Sequence, residues 1–189
     1  PMVDFENTVY VAIDFETTGL RPDLGDRIIE IAAFPIYKGQ IRTDYSFYSL
    51  VNPEVTIPKE VSHYHKLNNI HIADAPLLSE VIRDFKNYLS DSIIISHNAA
   101  MDLRFMDVAT KEAGLLPIGN YYADTLKMSM YFLDEGPYNL GYLSKKLNLG
   151  INSFHRACDD AMATARLFLK LVKKYSVRNL GDFLKRWEG

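Results

Sequence analysis

Two acids separated by one residue close the stretch "VAIDFETTGL" (11–20), where Asp14 and Glu16 end an apolar run just before Thr17, Thr18 and Gly19. On a strand, side chains i and i+2 share a face about 7 Å apart, so these carboxylates repel unless a cation lies between them. Two further segments repeat the situation. Asp102 opens a helical pattern directly after the apolar run "SIIIS" (92–96). Asp160 opens another in "HRACDDAMATARLFLKLV" (155–172), with His155 five residues upstream. Taken singly, each has an ordinary explanation. Acids are favoured at helix N-termini by the macrodipole, and a lone histidine before a helix is usually a cap or a surface residue. Asp159 points about 100° away from Asp160 on the helix, as a solvated acid would. Four acids from three segments, each at the mouth of an apolar face, are harder to explain singly. Together they form a cluster that only cations hold, and carboxylate oxygens suit two Mg²⁺ or Mn²⁺ ions. Two such ions about 4 Å apart clamp a phosphodiester for in-line attack by water. The imidazole of His155 suits the base that takes the proton of that water.

The elements that must position these residues follow from hydrophobic periodicity. "TVYVAIDFE", "RIIEIAAFPIYKG" and "QIRTDYSFYSLV" read as three strands, with Lys38-Gly39-Gln40 supplying a hairpin turn. On the first strand Tyr10, Ala12, Asp14 and Glu16 share one face, and Val11, Ile13 and Phe15 the other. "VNPEVTIPKEV" and "HYHKLNN" read as loop, which leaves His63 and His65 on the surface. "LLSEVIRDFKNYLS" is amphipathic, with Val81, Phe85 and Leu89 recurring every fourth residue. "SIIIS" is a short buried strand, and "AMDLRFMDVATKEAG" a helix closed by Gly114. "YYAD" is a last strand, followed by helices from Thr125, from Leu140 and over about 157–175. Meandering strands followed by alternating helix and strand give an α/β sheet of mixed order.

A chain of 189 residues with 48% hydrophobic and 24% charged residues fits one globular domain over 1–189. Pro1 before Met2 reads as an addition ahead of a natural start, or else the chain is a fragment. No stretch approaches the roughly 20 apolar residues of a membrane span, so no membrane partner is expected, and the address expected is cytoplasmic. Cys158 is the sole cysteine, which excludes an internal disulfide or a cysteine-based zinc site. The net charge of −3 is unlike that of proteins holding long duplexes by their phosphates. A nucleic-acid partner would be gripped over a few nucleotides, through metal ions, or with the help of another protein.

The motifs resemble those of the DEDDh family of 3′→5′ exonucleases, and most of all the epsilon proofreading subunit of bacterial DNA polymerase III. "DFETTG" is similar to the first exonuclease motif, "HNAAMDLRFM" to the second, and "HRACDDA" to the third, with its His-x4-Asp spacing. "ADTLKMSM" and "YNLGYLSKKLNL" are weaker echoes, so the likeness covers nearly the whole chain. It implies an RNase H-like fold with a five-stranded mixed sheet, order 3-2-1-4-5 with strand 2 antiparallel, flanked by helices. It implies Asp14, Glu16, Asp102 and Asp160 as ligands of two Mg²⁺ or Mn²⁺ ions, and His155 as the base. The implied substrate-binding set is Phe15, Thr17, Thr18, Gly19, Leu20, His97, Asn98 and Met101. Within it Leu20 is an apolar wedge, His97 and Asn98 steady the phosphate side, and Asn98 is equally a helix cap. Met101 stands where the family usually has Phe, and His65-Lys66-Leu67 where it often has His-Gly-Ile.

The expected substrate is therefore the 3′ end of single-stranded or frayed DNA, with proofreading or repair as its setting and a DNA polymerase as an expected partner. An RNA-directed relative resembling oligoribonuclease or RNase T is the enzyme alternative. A catalytically idle scaffold that only binds a partner is the alternative of another class; its signature would be a missing metal acid, and none is missing. The segment after the last helix, "SVRNLGDFLKRWEG", is short for a polymerase-binding tail. That suggests a separate protein or an excised domain rather than a complete classical subunit.

Overall fold

Strand β1 (Tyr10–Thr17) displays the alternation expected of it in the computed structural model, which describes residues 5–177 and 180–188. Val11, Ile13 and Phe15 enter one core with Ile82, Phe85, Leu103 and Met106. Tyr10 and Ala12 enter a second with Met128, Leu143, Leu167, Phe168 and Leu171. A strand buried on both faces needs apolar residues at nearly every position. The two acids at its end are therefore conspicuous.

Strand β2 (Ile28–Tyr37) runs antiparallel to β1, and its register slips between Glu16 and Thr17. Such a bulge bends a strand and re-aims its side chains beside a site. The turn into β3 (Gln40–Ile41) uses Lys38 at φ 51° and Gly39 at φ 69°, the pair of left-handed residues that a tight hairpin requires. The third expected strand is in fact two pieces. After β3 a single 3₁₀ turn at Thr43–Tyr45 interrupts the chain, and β4 (Phe47–Leu50) then pairs with β2 further along.

The segment expected to be loop contains two short helices, α1 (Lys59–His65) and α2 (Asn69–Ile72). Ile57, Leu67 and Ile72 pack on Ile29 of β2 beneath them. Helix α3 (Leu78–Leu89) leads into β5 (Ile93–Ser96), which lies parallel to β1. Helix α4 (Ala99–Glu112) is followed by Gly114 at φ 65°, then by β6 (Tyr121–Asp124), parallel to β5. The chain continues through α5 (Thr125–Phe132), α6 (Leu140–Lys146) and α7 (Ala157–Lys174).

Strand β7 (Lys185–Arg186) adds an antiparallel edge to β6, a strand the sequence does not announce. The observed order is β3-β2-β1-β5-β6-β7, with β4 beside β2. The expected five-strand order holds within it. The count of seven arises from the divided third strand and the extra edge. Parallel β1 and β5 end on the same border of the sheet, the place where α/β proteins bind ligands. Among the described residues no helix is long and apolar enough to cross a membrane.

Candidate active site

At that border Asp14, Glu16 and Asp160 each direct a carboxylate oxygen to one point, all within 4.8 Å of one another. Asp14 and Glu16 come from the end of β1, and Asp160 from the first turn of α7, which lies across β1 and β2. Neither the Asp14 nor the Glu16 carboxylate has a hydrogen-bonding partner among the described residues. Asp160 Oδ2 accepts the His155 backbone N–H at 3.0 Å, while its Oδ1 is buried and unpartnered. Three crowded acids with an orphaned inward oxygen make a donor set of hard oxygens, which fits a divalent cation such as Mg²⁺ or Mn²⁺.

The electrostatics say the same. Burial, and then the charges of Asp102, Asp160 and Glu16, raise Asp14 well above the usual carboxylate range. Burial and the neighbouring Asp160 push Glu16 up to about 8, and burial pushes Asp160 up to about 6. Like charges in one desolvated place hold protons until a metal displaces them.

Asp102 stands beside this trio rather than in it. It is 8% exposed, and its Oδ2 accepts the hydroxyl proton of buried Ser96 at the end of β5. Burial pushes it up to about 7. It is close enough for its charge to act on Asp14, but its oxygens are not among the three that converge.

His155 precedes α7 in an exposed loop at φ 68°. With Asp14, Asp160, His97, Asn139, Leu140, Gly141 and Phe154 it lines a cleft of about 300 Å³. The "YNLGYLSKKLNL" echo is thereby explained in part: its first residues form the far wall, where the Asn139 side chain caps α6 through the Tyr142 N–H.

The substrate-binding set divides. Leu20 is 70% exposed in the loop after β1. A Cβ at Gly19 would stand 2.3 Å from the Asp26 carboxylate that accepts the Arg21 N–H, so a larger residue there must displace that side chain. Thr17 Oγ1 donates to the Gly19 carbonyl at 2.6 Å. Thr18 is buried, and its hydroxyl accepts the Arg27 N–H at 2.9 Å. Both threonines thus build the loop.

Phe15 departs from expectation: its ring packs edge-on against Phe85 in the core on the opposite face from the acids. Alternation along β1 dictates this. His97 lines the cleft, yet both ring nitrogens are engaged. Nε2 donates to the Tyr138 carbonyl, and Nδ1 pairs with the Thr125 hydroxyl, each at 2.9 Å. Burial pulls its pKa below the ordinary value, so the neutral ring ties α5 and the loop before α6 to β5. Asn98 sits at the N-cap position of α4 at φ 68° but makes no cap. Asp124 caps instead, accepting the Asn98 and Ala99 N–H groups. Met101 packs partly buried at the edge of the core.

His65 corrects the surface reading. It is 1% exposed, and its Nδ1 accepts the Leu67 N–H at 3.1 Å, which assigns the proton to Nε2. That nitrogen lies beside the Thr17 backbone but outside hydrogen-bond geometry, and burial pulls its pKa down. Lys66 adopts φ 62°, the left-handed conformation for which glycine is ordinarily used. The turn survives the loss of that glycine.

Glu30 and Arg156 are the participants that sequence reasoning missed. Glu30 is wholly buried under the site and ion-paired to Arg156. A single acid inside the apolar run "RIIEIAAF" was the available signal.

A mixed sheet with an acidic trio at the paired ends of its strands, an exposed histidine beside it and a cleft between them defines a nuclease of RNase H-like fold. The exonuclease family model matches residues 11–168, and the chain belongs to that family. The PolC-type DNA polymerase III of Thermotoga petrophila is 37% identical over 181 residues, covering 94% of this chain and 13% of the relative. That of Staphylococcus aureus is 34% identical over 188 residues, covering 97% and 13%. The chain thus spans a small part of the curated relatives it matches. Exonuclease X, solved with 5′-overhanging duplex DNA, superposes with a TM-score of 0.73 at 25% identity, covering 88% of this chain and 93% of that one. The nuclease domain of 3′hExo, a DEDDh family member solved with rAMP, shares the fold with a TM-score of 0.78 at 16% identity, covering 98% and 99%.

Proposed function

We propose that the chain removes nucleotides from the 3′ ends of single-stranded or frayed DNA, releasing nucleoside monophosphates, in a proofreading or repair setting. One observation carries the reading: three carboxylates within 4.8 Å of one another, one with an orphaned buried oxygen, two of which (Asp14 and Asp160) line a cleft that His155 also lines. Asp14, Glu16 and Asp160 would hold two divalent ions, with Asp102 at the margin of the site. Bound there, Mg²⁺ or Mn²⁺ supplies the positive charge that a phosphodiester and its attacking water need. His155 takes the proton of that water, from a position open to solvent and beside Asp14 and Asp160. Leu20 covers the terminal base from the β1 loop, which Thr17, Thr18 and Gly19 hold in shape. The net charge of −3 suits a grip on few nucleotides.

DNA is preferred over RNA because the relatives above 30% identity are DNA polymerases. The same likeness supports a polymerase as the setting in which this domain works. The test is an assay of 3′- and 5′-labelled single-stranded DNA, duplex DNA, RNA and circular single-stranded DNA, each with Mg²⁺ and with Mn²⁺. Ladders shortened from the 3′ end and an intact circle are expected. Efficient cutting of the circle refutes the exonuclease reading, and faster loss of RNA than DNA refutes the substrate.

A further inference from the structure

Glu30 is the buried acid that the chemistry above does not use. It lies on β2 opposite Glu16 and is 0% exposed. Arg156 Nε donates to both of its oxygens at 3.1 Å, and Arg156 Nη2 donates to Oε1 at 2.5 Å. The Tyr48 hydroxyl donates to Oε1 at 2.9 Å, and the Ala157 N–H to Oε2 at 3.0 Å. Burial alone would raise this acid; the fork, the amide and the hydroxyl outweigh burial and hold it below the usual range. Ala157 is the first residue of α7, whose own N-cap, Arg156, offers no side-chain cap. A strand carboxylate therefore caps this helix from across the fold. Ala32, Ala157 and Ala161 pack together beside it, small enough to bring α7 close to β2.

An ion pair with one partner buried and the other 40% exposed is a poor device for stability, since the desolvation of the buried charge offsets much of the attraction. A planar guanidinium on a fixed carboxylate does something apolar contact cannot: it sets direction. Arg156 directly follows His155. The His155 ring makes no hydrogen bond among the described residues, and the ring of Tyr64, 6.2 Å away, is its aromatic neighbour. Its backbone is tethered twice, by its own N–H on Asp160 and by the next residue's fork on Glu30.

We infer that the Glu30–Arg156 pair, completed by Tyr48, is a positioning device for the His155 ring, aiming it over the cleft shared with Asp14 and Asp160. The inference rests on reading His155 as the base. Neither Glu30 nor Arg156 lines the cleft, so disturbing them alters turnover rather than substrate binding. A misplacement of about 1 Å in a reacting group costs about 10²-fold in rate.

Two variants test this. Arg156→Lys keeps the charge and removes the planar fork. The double variant Glu30→Met/Arg156→Met removes both ions at similar volume. Each is melted, assayed on a single-stranded DNA oligonucleotide with Mn²⁺, and examined by NMR for ring-to-ring Overhauser contacts between His155 and Tyr64. Both should fold, with KM within about twofold of wild type, kcat lower by about ten- to a hundredfold, and weakened ring contacts. Wild-type kcat in a folded variant, or a loss confined to KM, overturns the inference. If the double variant does not fold, Arg156→Lys decides by the same criteria. Ring contacts retained in the variant overturn it whether or not the wild type degrades DNA. A wild type that degrades no oligonucleotide overturns the exonuclease reading instead, and the NMR result still decides the positioning.

Discussion

Replacing Asp160 with Asn should stabilise the metal-free protein, the reverse of what most active-site damage to a half-buried polar group does. Asp160 Oδ2 accepts the His155 N–H, and Oδ1 is buried without a partner, facing Asp14 and Glu16. In Asp160→Asn the amide oxygen keeps the first contact, and the NH₂ takes the orphaned place as a donor to those acids. Burial pushes the Asp160 carboxyl up to about 6 from 3.8. About two units at 1.36 kcal/mol each set a ceiling near 3 kcal/mol. Solvent screening of a half-exposed group reduces this to about 1 to 2 kcal/mol. For a chain of this length that is a rise of about 3 to 6 °C in melting temperature. A raised folded-state pKa means that this group's stabilisation is complete below about pH 4 and lost as pH climbs to about 6. The variant's advantage should accordingly be absent near pH 4 and full by about pH 7.5. Mn²⁺ at a hundredfold excess over its dissociation constant should add about 2.7 kcal/mol to the wild type, or about 5 to 10 °C, and distinctly less to the variant. The assay is a thermal melt of both proteins in EDTA and in Mn²⁺ across that pH range. A variant that melts below wild type at pH 7.5 in EDTA and keeps the whole Mn²⁺ increment refutes a shared acid site.

His155→Asn, chosen because Asn tolerates the positive φ, should leave the Mn²⁺ melting shift intact while lowering turnover by about 10² to 10⁴; unchanged turnover removes His155 from the chemistry. Gly19→Ala should force the Asp26 carboxylate out of the β1 loop, costing about 1 to 3 kcal/mol and raising KM for DNA. Wild-type melting and KM would show that the loop has room. Without metal, the raised values of Glu16, Asp102 and Asp160 should make stability fall between about pH 4 and 8. Buried His65 and partly buried His97, whose values are lowered, act oppositely and cost stability below about pH 6.5. A metal-free melting curve that keeps rising from pH 6.5 to 8 contradicts the acid cluster.

Periodicity made β1, β2, α3, α4 and α7 legible, because each buries a continuous face that a single chain must write into its residues. The acids of the site were legible for the opposite reason: charges at the ends of apolar faces have no local explanation. Helix α1 was not legible. Its two histidines and valine favour no helix strongly, and it forms where its flanking residues Ile57 and Leu67, with Ile72, pack on the distant Ile29 of β2. His65 was misplaced with it, since its burial depends on that docking. The Glu30–Arg156 pair joins residues 126 positions apart, a contact no local pattern encodes. Asp102 was visible as an acid, but its distance from the trio depends on Ser96, whose hydroxyl lies against it.

The two borders of the sheet are built from short pieces. On one side β3 and β4 contribute two and four residues, separated by the 3₁₀ turn. On the other, β7 contributes the two residues Lys185 and Arg186 against β6. Unpaired backbone along a strand edge is a template onto which a foreign strand can zip. Here the break in one border and the basic pair on the other leave, among the described residues, no run long enough to template that growth. The described edges thus offer neighbouring copies of the chain no strand on which to polymerise.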